Sequence, residues 1–207
     1  MSLFPRALAP FFIVMLCVIA PTGAMAATPP TGGTSYETEP PPPVMKEPGL
    51  WTGTEVPGTK AVLLADGTAA APAEAPAQVK QAIWAANSLQ ELPYRYGGGH
   101  NLDFDVVNGA DCSGTVSFAL GAAGLLKAPL DSGSFMRWGL KGKGAWITVF
   151  TNPGHAYVKI AGLRLDTSVA GMSRAKGITA SAFESGPRWR PMGRAPKGFA
   201  KRHPLSF

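Results

Sequence analysis

The chain has 207 residues, of which 45% are hydrophobic and 15% charged, and its formal net charge is +6. Two cysteines are too few for a disulfide-stapled mini-protein, and the ordinary hydrophobic content argues against a chain that is disordered throughout. No internal repeat with a period of about 20 to 50 residues is present, so a single globular domain is the first expectation.

Residues 1–26 have the pattern of a cleaved secretory signal. Arg6 precedes an apolar run over 9–20, and the Ala-Met-Ala stretch 24–26 suits a cleavage site. The run is shorter than the roughly 20 apolar residues of a membrane-spanning helix, and an uncleaved anchor is the alternative. We expect cleavage near Ala26, no stable membrane anchor, and a protein that is secreted or held in the periplasm or cell wall.

Cleavage would also change the cysteine content. Cys17 would leave with the signal, so Cys112 would remain as the single thiol and no internal disulfide could form. A lone thiol in an oxidising compartment is either a small buried hydrophobic residue or is kept for its reactivity.

Residues 27–76 contain ten prolines and carry six acidic residues against two lysines. This composition predicts a disordered linker rich in proline and alanine, with at most a short ordered piece around Leu50, Trp51 and 62–64. Residues 77–207 carry 16 basic residues against seven acidic ones and are long enough to bury a core. We therefore predict that the folded domain is 77–207.

The positive charge is concentrated at the C-terminus, where residues 171–207 hold eight basic residues against Glu184. In an exported protein, an anionic cell-wall or envelope polymer is a better partner for such a stretch than nucleic acid. The alternative is a solvated tail that lies over the domain and is anchored by Trp189 and Phe199.

Apolar side chains recur at helical spacing between Pro76 and Pro93, which predicts a helix followed by a loop over 93–110. A second apolar stripe begins after Cys112 and ends before Gly124, a residue suited to close a helix. The stripes consist of Val79, Ile83, Ala86 and Leu89 in the first helix and Val116, Ala119, Leu120 and Ala123 in the second. The second helix would carry Cys112 in its first turn, where free N–H groups favour a thiolate.

The next segment predicts a run of strands. Residues 146–150 suit a strand, Asn-Pro-Gly at 152–154 a turn, and 155–160 a strand that alternates apolar and polar side chains. A two-residue turn at 161–162 would pair Ile160 with Leu163. That pair fixes the register of the remaining residues in the two strands of the hairpin.

This register has a chemical consequence. It pairs Tyr157 with Asp166 and His155 with Ser168, so His155, Asp166 and Ser168 share one face of the hairpin. If that sheet packs on the Cys112 helix, a thiol nucleophile, an imidazole base and a carboxylate that orients the base come together.

Three motifs in this region closely resemble the NlpC/P60 cysteine peptidases of bacterial cell walls: PYRYGG at 93–98, DCSG at 111–114 and GHAY at 154–157. The resemblance covers about 90 residues, 79–168. It implies an α+β, papain-like core in which the catalytic cysteine starts a helix packed on an antiparallel sheet. It also implies cleavage of peptidoglycan stem peptides, typically between D-glutamate and a diamino acid.

The resemblance assigns catalytic roles to three residues. Cys112 corresponds to the family's nucleophile and His155 to its general base. Asp166 falls where the family has a third polar residue, commonly a second histidine, once a hairpin shorter by one residue is allowed for.

The resemblance also implies substrate-binding residues. Tyr94 matches a tyrosine near the oxyanion site, and the alternative for it is a loop aromatic that covers the core. Asp111 and Ser113 match residues that hold the free amine of the stem peptide in some members of the family.

The sequence departs from the family pattern in two places. The loop 99–110 is several residues longer than usual and contains Asp103 and Asp105, and 144–148 replaces the usual Gly-Asp before the histidine strand. Both changes bear on substrate preference. Residues 186–191 and 202–204 resemble the ends of a secreted subgroup, which favours a docked C-terminal extension over a loose tail.

No metal or nucleotide motif is present, and the histidines at 100, 155 and 203 are far apart in the chain. We therefore predict no cofactor and no metal. His100 could line the mouth of the cleft, but we expect it to be simply an exposed loop residue.

Together these features predict an exported cysteine peptidase that acts on peptidoglycan peptides through a Cys112 thiolate and a His155 base. Two alternatives stay open. The same Cys-His core could serve an amidase on the sugar–lactyl link or an acyltransferase, or the domain could be a non-catalytic module that binds the cell wall.

Overall fold

The computed structural model describes residues 51–101, 108–168, 186–191 and 197–207, all within one compact unit that spans Pro40–Phe207. The predicted signal 1–26 lies outside the described residues, as do 27–50, Asp103 and Asp105. The helices are α1 Ala77–Asn87, α2 Cys112–Ala122 and α3 Ser132–Phe135. The strands are β1 Glu55–Val56, β2 Val62–Leu63, β3 Ala69–Pro72, β4 Leu140–Lys141, β5 Ile147–Asn152, β6 His155–Ile160, β7 Leu163–Asp166, β8 Arg188–Pro191 and β9 Ala200–His203.

Six of these strands form an antiparallel sheet in the order β4-β9-β5-β6-β7-β8. The β5–β6 hairpin turns over 153–154, and the β6–β7 hairpin turns at Ala161 and Gly162, which both have positive φ angles of 46° and 103°. Positive φ at both turn positions suits the tight two-residue turn that follows strand twist. Ile160 pairs with Leu163, which confirms the predicted register.

Both predicted helices are confirmed, and α2 is the more deeply buried. The Asp111 side chain caps its N-terminus by accepting a hydrogen bond from the Gly114 N–H at 2.7 Å. At its C-terminus Gly124 has φ 70°, and Leu125 N–H reaches back to the Leu120 carbonyl at 2.9 Å. This is the Schellman arrangement that the glycine at 124 predicts.

The core lies between the two long helices and one face of the six-stranded sheet. Alternate residues of β6 face it, and they are fully buried, as the period of a strand requires. These residues are Ala156, Val158 and Ile160. The opposite face of β6 therefore presents His155, Tyr157 and Lys159, as the sequence predicts.

The disordered linker predicted for 27–76 is wrong over 51–76. There β1, β3 and β2 form a small three-stranded sheet, and the alanines at 69–71 are almost fully buried. Alanine is small enough for its backbone to pack closely against α1. The Gln81 amide binds the N–H and carbonyl of Trp51 at 3.0 and 2.9 Å, and Asn87 binds those of Ala69 at 2.9 Å each. The folded domain therefore begins well before residue 77.

The C-terminal segment is docked in its described parts, as the sequence predicts. Strand β8 pairs with β7, and β9 is inserted between β4 and β5. Trp189 is 4% exposed and donates its indole N–H to the Asn87 side chain at 2.8 Å. Of the basic residues predicted here, Arg174, Lys176 and Arg194 lie outside the described residues. None of the helices that the structure describes has the length and apolarity needed to cross a bilayer.

Candidate active site

Cys112 is the first residue of α2, immediately after the Asp111 cap. Its side chain is half-buried, and it lines an open cleft of about 480 Å³. The free N–H groups at the start of an eleven-residue helix give this position a partial positive charge. That charge favours the thiolate form of a cysteine.

His155 begins β6, the strand against which α2 packs. Its Nε2 lies 2.9 Å from the Oδ1 of Asp166, at the end of β7. Asp166 is 3% exposed, and it also accepts hydrogen bonds from the Ser168 N–H at 2.9 Å and the Ser168 hydroxyl at 2.8 Å. The structure therefore brings His155, Asp166 and Ser168 to one face, as the hairpin register predicts.

The Cys112 thiol contacts the His155 imidazole through a hydrogen bond. Burial alone would raise the thiol pKa, but hydrogen bonding from His155 and from the Ala156 N–H, with the imidazole charge, holds the pKa of Cys112 below its ordinary value. Because Asp166 occupies Nε2, Nδ1 of His155 is left for the thiol. This arrangement favours a thiolate beside an imidazolium.

His155 itself is held in the charged form. Burial would lower its pKa, but the hydrogen bonds to Asp166 and Cys112, and their negative charges, raise the pKa of His155 to about 9. Burial would also raise the pKa of Asp166, yet its bonds to His155 and Ser168 keep that pKa below its usual range. The carboxylate is therefore ionised and able to orient the ring.

Two aromatic side chains enclose the His155 ring. Phe199 meets it edge to face, with ring centroids 6.2 Å apart at 88°, and Tyr157 lies at the same centroid distance with a tilt of 36°. Tyr157 is in turn stacked on Phe150 at 4.8 Å. Phe199 precedes β9, so the C-terminal segment contributes directly to the surroundings of the base. Sequence reasoning gave Phe199 only an anchoring role.

The cleft collects the predicted substrate-binding residues. Tyr94, Asp111 and Ser113 all line it with Cys112, whereas His155 and Asp166 are not among its lining residues. Burial, and the negative charges of Cys112 and Asp111, raise the pKa of Tyr94, so its hydroxyl stays a donor. The roles in substrate binding that the resemblance implies for these three residues stay predictions.

His100 also lines this cleft, so its interpretation as an exposed loop residue is wrong. Its Nε2 lies 3.0 Å from Asp111 Oδ1 and 3.3 Å from the Ser113 hydroxyl. The glycines before it explain the placement: Gly99 has φ 77°, and a Cβ at Gly99 or Gly114 would crowd the other's backbone. The run of three glycines is thus the sequence signal that the loop packs on α2.

A second hollow of about 330 Å³ lies where the β6–β7 turn meets residues 59–60. Lys60, Lys159 and Trp146 are among its lining residues, and no cysteine or histidine is. In the part of the chain that the structure describes, no group of three or more His, Cys, Asp or Glu side chains is placed to hold a metal ion. The Cys112 cleft, by contrast, is lined by a thiol and by the imidazole of His100.

No protein-family model matches the chain, and a search of curated proteins finds no significant match. Among solved structures, the peptidoglycan hydrolase RipB from Mycobacterium tuberculosis is similar to it, with 22% sequence identity and a TM-score of 0.41. The match covers 60% of this chain and 64% of the RipB chain, so this chain spans less than two thirds of that structure. This loose likeness assigns no activity to the cleft.

Proposed function

We propose that this chain is an exported cysteine peptidase of the NlpC/P60 type, with a papain-like core, that hydrolyses peptidoglycan stem peptides. The observation that supports it is the continuous contact from the Cys112 thiol to His155 and from His155 Nε2 to the buried Asp166 at 2.9 Å, beside an open cleft. The contact supports acyl-transfer chemistry. The motifs and the predicted secretory signal support the peptide of the cell wall as substrate, with the D-glutamyl–diamino acid bond as the expected target.

In this mechanism the Cys112 thiolate attacks the carbonyl carbon of the scissile amide. Backbone N–H groups at the start of α2, with the Tyr94 hydroxyl nearby, stabilise the oxyanion that forms. The His155 imidazolium gives its proton to the leaving amine as the C–N bond breaks, which leaves a thioester on Cys112. His155 then takes a proton from water, the resulting hydroxide attacks the thioester, and the acid product leaves as the thiolate returns.

The alternatives make different demands on the same residues. An amidase on the sugar–lactyl link or an acyltransferase would use the same thiolate, and the masses of the products separate them from the peptidase. A non-catalytic module that binds the cell wall would not need a thiol, an imidazole and a buried carboxylate in contact. Here Cys112 contacts His155, and His155 contacts Asp166. The burial of Asp166 and its three hydrogen bonds favour an enzyme.

The first test is mass spectrometry of defined muropeptides after incubation with the mature protein and with Cys112→Ala. We expect a pair of fragments split after D-glutamate, with the rate falling by at least about a thousandfold in the variant, because the nucleophile is lost. Circular dichroism should show that the variant stays folded. Equal cleavage by both proteins would refute the mechanism, and binding without any cleavage by the native protein would favour the wall-binding module.

A second prediction concerns the orienting carboxylate. Asp166→Asn removes the negative charge that holds His155 protonated and in one tautomer, so we expect kcat to fall by about a hundredfold or more while some activity remains. Ser168→Ala is the matched control, because it removes one hydrogen bond from Asp166 and keeps the contact with His155. If the two variants lose activity equally, Asp166 acts only as part of the fold.

The basic C-terminus remains the proposed contact with an anionic cell-wall or envelope polymer. In its described parts Lys197 and Lys201 are exposed, whereas Arg188 and Arg190 are half-buried in the edge of the sheet. Burial lowers the pKa of both of these arginines below its ordinary value. The exposed lysines are therefore the better candidates for that partner.

A further inference from the structure

The hollow of about 330 Å³ at the β6–β7 turn is framed by segments that backbone hydrogen bonds hold together. The Ala61 N–H donates to the Ala161 carbonyl, and the Ala161 N–H donates to the Trp146 carbonyl, each at 2.8 Å. The stem of Lys60 lies beside the turn, since a Cβ at Gly162 would be 3.9 Å from the Cβ and Cγ of Lys60. The main chain therefore fixes the frame of this hollow without a ligand.

The side chains that line the hollow offer hydrogen-bond donors. They include the ammonium groups of Lys60 and Lys159, the hydroxyl of Thr59 and the indole N–H of Trp146. Within the part of the chain that the structure describes, these groups have no hydrogen-bond or ion-pair partner, and no acidic residue lines the hollow. Trp146 is half-buried and packs against the main core, which holds its ring in place. The hollow therefore suits a negatively charged ligand that is rich in acceptors.

Lys159 also belongs to a row of basic residues on the face of the six-stranded sheet opposite the core. It lies opposite Arg164 on β7, and Arg164 lies opposite Arg190 on β8. Like charges that lie directly opposite on neighbouring strands destabilise a sheet. Asp166 offsets part of this charge, because its Oδ2 lies 3.5 Å from the Nε of Arg164. The excess of positive charge that remains in the row attracts an anion to the hollow.

We propose that this hollow is a binding site for an anionic sugar, a unit of an envelope polysaccharide that carries a carboxylate or phosphate group. The lysines bind the acidic group, the Trp146 ring packs on the apolar face of the sugar, and Thr59 and the indole N–H bind hydroxyl oxygens. The choice of an envelope polymer rests on the export that is part of the proposed function. Single-stranded nucleic acid also suits the charge, but its sites stack successive bases on several aromatic side chains. Trp146 is the one aromatic residue among the described lining residues.

This site is separate from the Cys112 cleft, with which it shares no described lining residue. Lys159 stands four residues after His155 on β6, which is about 13 Å at the rise of a strand. Lys197 and Lys201, the exposed lysines near the C-terminus, do not line the hollow either. A polymer bound in the hollow therefore tethers the protein to the envelope and leaves the cleft open to a peptide.

The test is calorimetric titration of the mature native protein with three trisaccharides: one of glucose, one of glucuronic acid, and one of glucose with a phosphate on its terminal sugar. We expect the two acidic trisaccharides to bind more tightly than the neutral one by about tenfold, as two exposed charge pairs allow. Lys60→Gln and Lys159→Gln should each weaken the acidic trisaccharides by about two- to fivefold and leave the neutral one unchanged. Lys127→Gln is the matched control, because it removes an exposed lysine that does not line the hollow. Trp146→Leu, which keeps an apolar side chain against the core, should weaken all three trisaccharides alike.

The two acidic trisaccharides separate the sources of the charge, because the tighter one shows whether the polymer is carboxylated or phosphorylated. Equal binding of acidic and neutral trisaccharides, no binding at all, or an equal loss in Lys127→Gln would overturn the inference. A short thymidine oligonucleotide that binds more tightly, with the same dependence on both lysines, would assign the hollow to nucleic acid instead.

Cleavage of stem peptides by the same variants keeps this inference apart from the proposed function. We expect Lys60→Gln and Lys159→Gln to cleave at the native rate. A native protein that cleaves no stem peptide, but binds acidic sugars through both lysines, would reject the peptidase and keep this site. Cleavage without any lysine-dependent binding would reject this site and keep the peptidase.

Discussion

At the scale of single residues, the proposed mechanism depends on one proton that Cys112 and His155 share. Each group favours the charged form of the other, which lowers the pKa of Cys112 and raises that of His155 to about 9. Asp166 adds to the stabilisation of the imidazolium through the same ring. The competent form is the thiolate–imidazolium pair, and it exists only between the two pKa values of the pair.

This sets the sign of the pH dependence. We expect kcat/KM to rise as pH increases through the lowered thiol pKa and to fall as pH increases through about 9, where His155 loses the proton that the leaving amine needs. The rate of Cys112 alkylation by iodoacetamide should follow the rising limb only, because alkylation needs no proton donor.

The control is His155→Ala, in which the alkylation inflection should move up toward that of a free cysteine. Activity of the native protein that continues to climb well above pH 9 would contradict the pairing.

The sequence predicts these three residues because each stands at a local signal. Cys112 follows a helix cap, and His155 and Asp166 are fixed by two-residue turns whose register can be counted. Phe199 carries no such signal, and the signal for His100 is the glycine run before it. His100 reaches the cleft through a glycine turn onto α2, and Phe199 reaches His155 through the pairing of β9 with β5, which joins residues about 50 positions apart.

At the scale of elements, α1 contacts segments that precede it and a strand near the C-terminus through side-chain amides. Within α1, Gln81 binds the backbone of Trp51, and Asn87 binds the backbone of Ala69 and the indole of Trp189. Just beyond the helix, Gln90 accepts a hydrogen bond from the Trp189 N–H at 3.0 Å. Amides carry both donors and acceptors, so they can replace a missing strand partner. A helix predicted from its apolar stripe alone gives no hint of this use of its polar residues.

The energy of this contact can be measured by comparing two glutamines of α1. Gln81 is 8% exposed and bonded through both amide atoms, whereas Gln78 is exposed. We expect Gln81→Ala to lower the free energy of unfolding by about 1–3 kcal/mol more than Gln78→Ala, since it removes a buried side chain and both of its hydrogen bonds to the backbone of Trp51. Urea unfolding of both variants gives the difference between their free energies of unfolding. The change in helix propensity from glutamine to alanine is common to both variants and cancels in that difference. Equal destabilisation would mean that Trp51 finds water in place of Gln81.

At the scale of the whole molecule, the six-stranded sheet is largely predictable at its centre and much less so at its edges. The hairpins β5–β6 and β6–β7 follow from local turns. The insertion of β9 between β4 and β5, and the small sheet of β1, β3 and β2, depend on pairing between distant segments. The many prolines of 27–76 led to the prediction of a disordered linker in place of the small sheet. Composition does not show that three consecutive alanines can be buried against a helix.

The extent of the folded domain follows from this sheet. A chain that begins at residue 77 would lose β1–β3, uncover the face of α1 that packs on the alanines 69–71, and leave Gln81 and Asn87 without their backbone partners. Several buried polar groups without partners cost about 1–3 kcal/mol each, which together is comparable with the whole stability of a domain of this size.

We therefore expect 51–207 to unfold cooperatively near the Tm of the mature protein and to keep its activity. The chain 77–207 should lose both the cooperative transition and activity. Calorimetry of the three chains decides it, and a 77–207 chain with an unchanged Tm would show that residues 51–76 only lie on the surface of the domain.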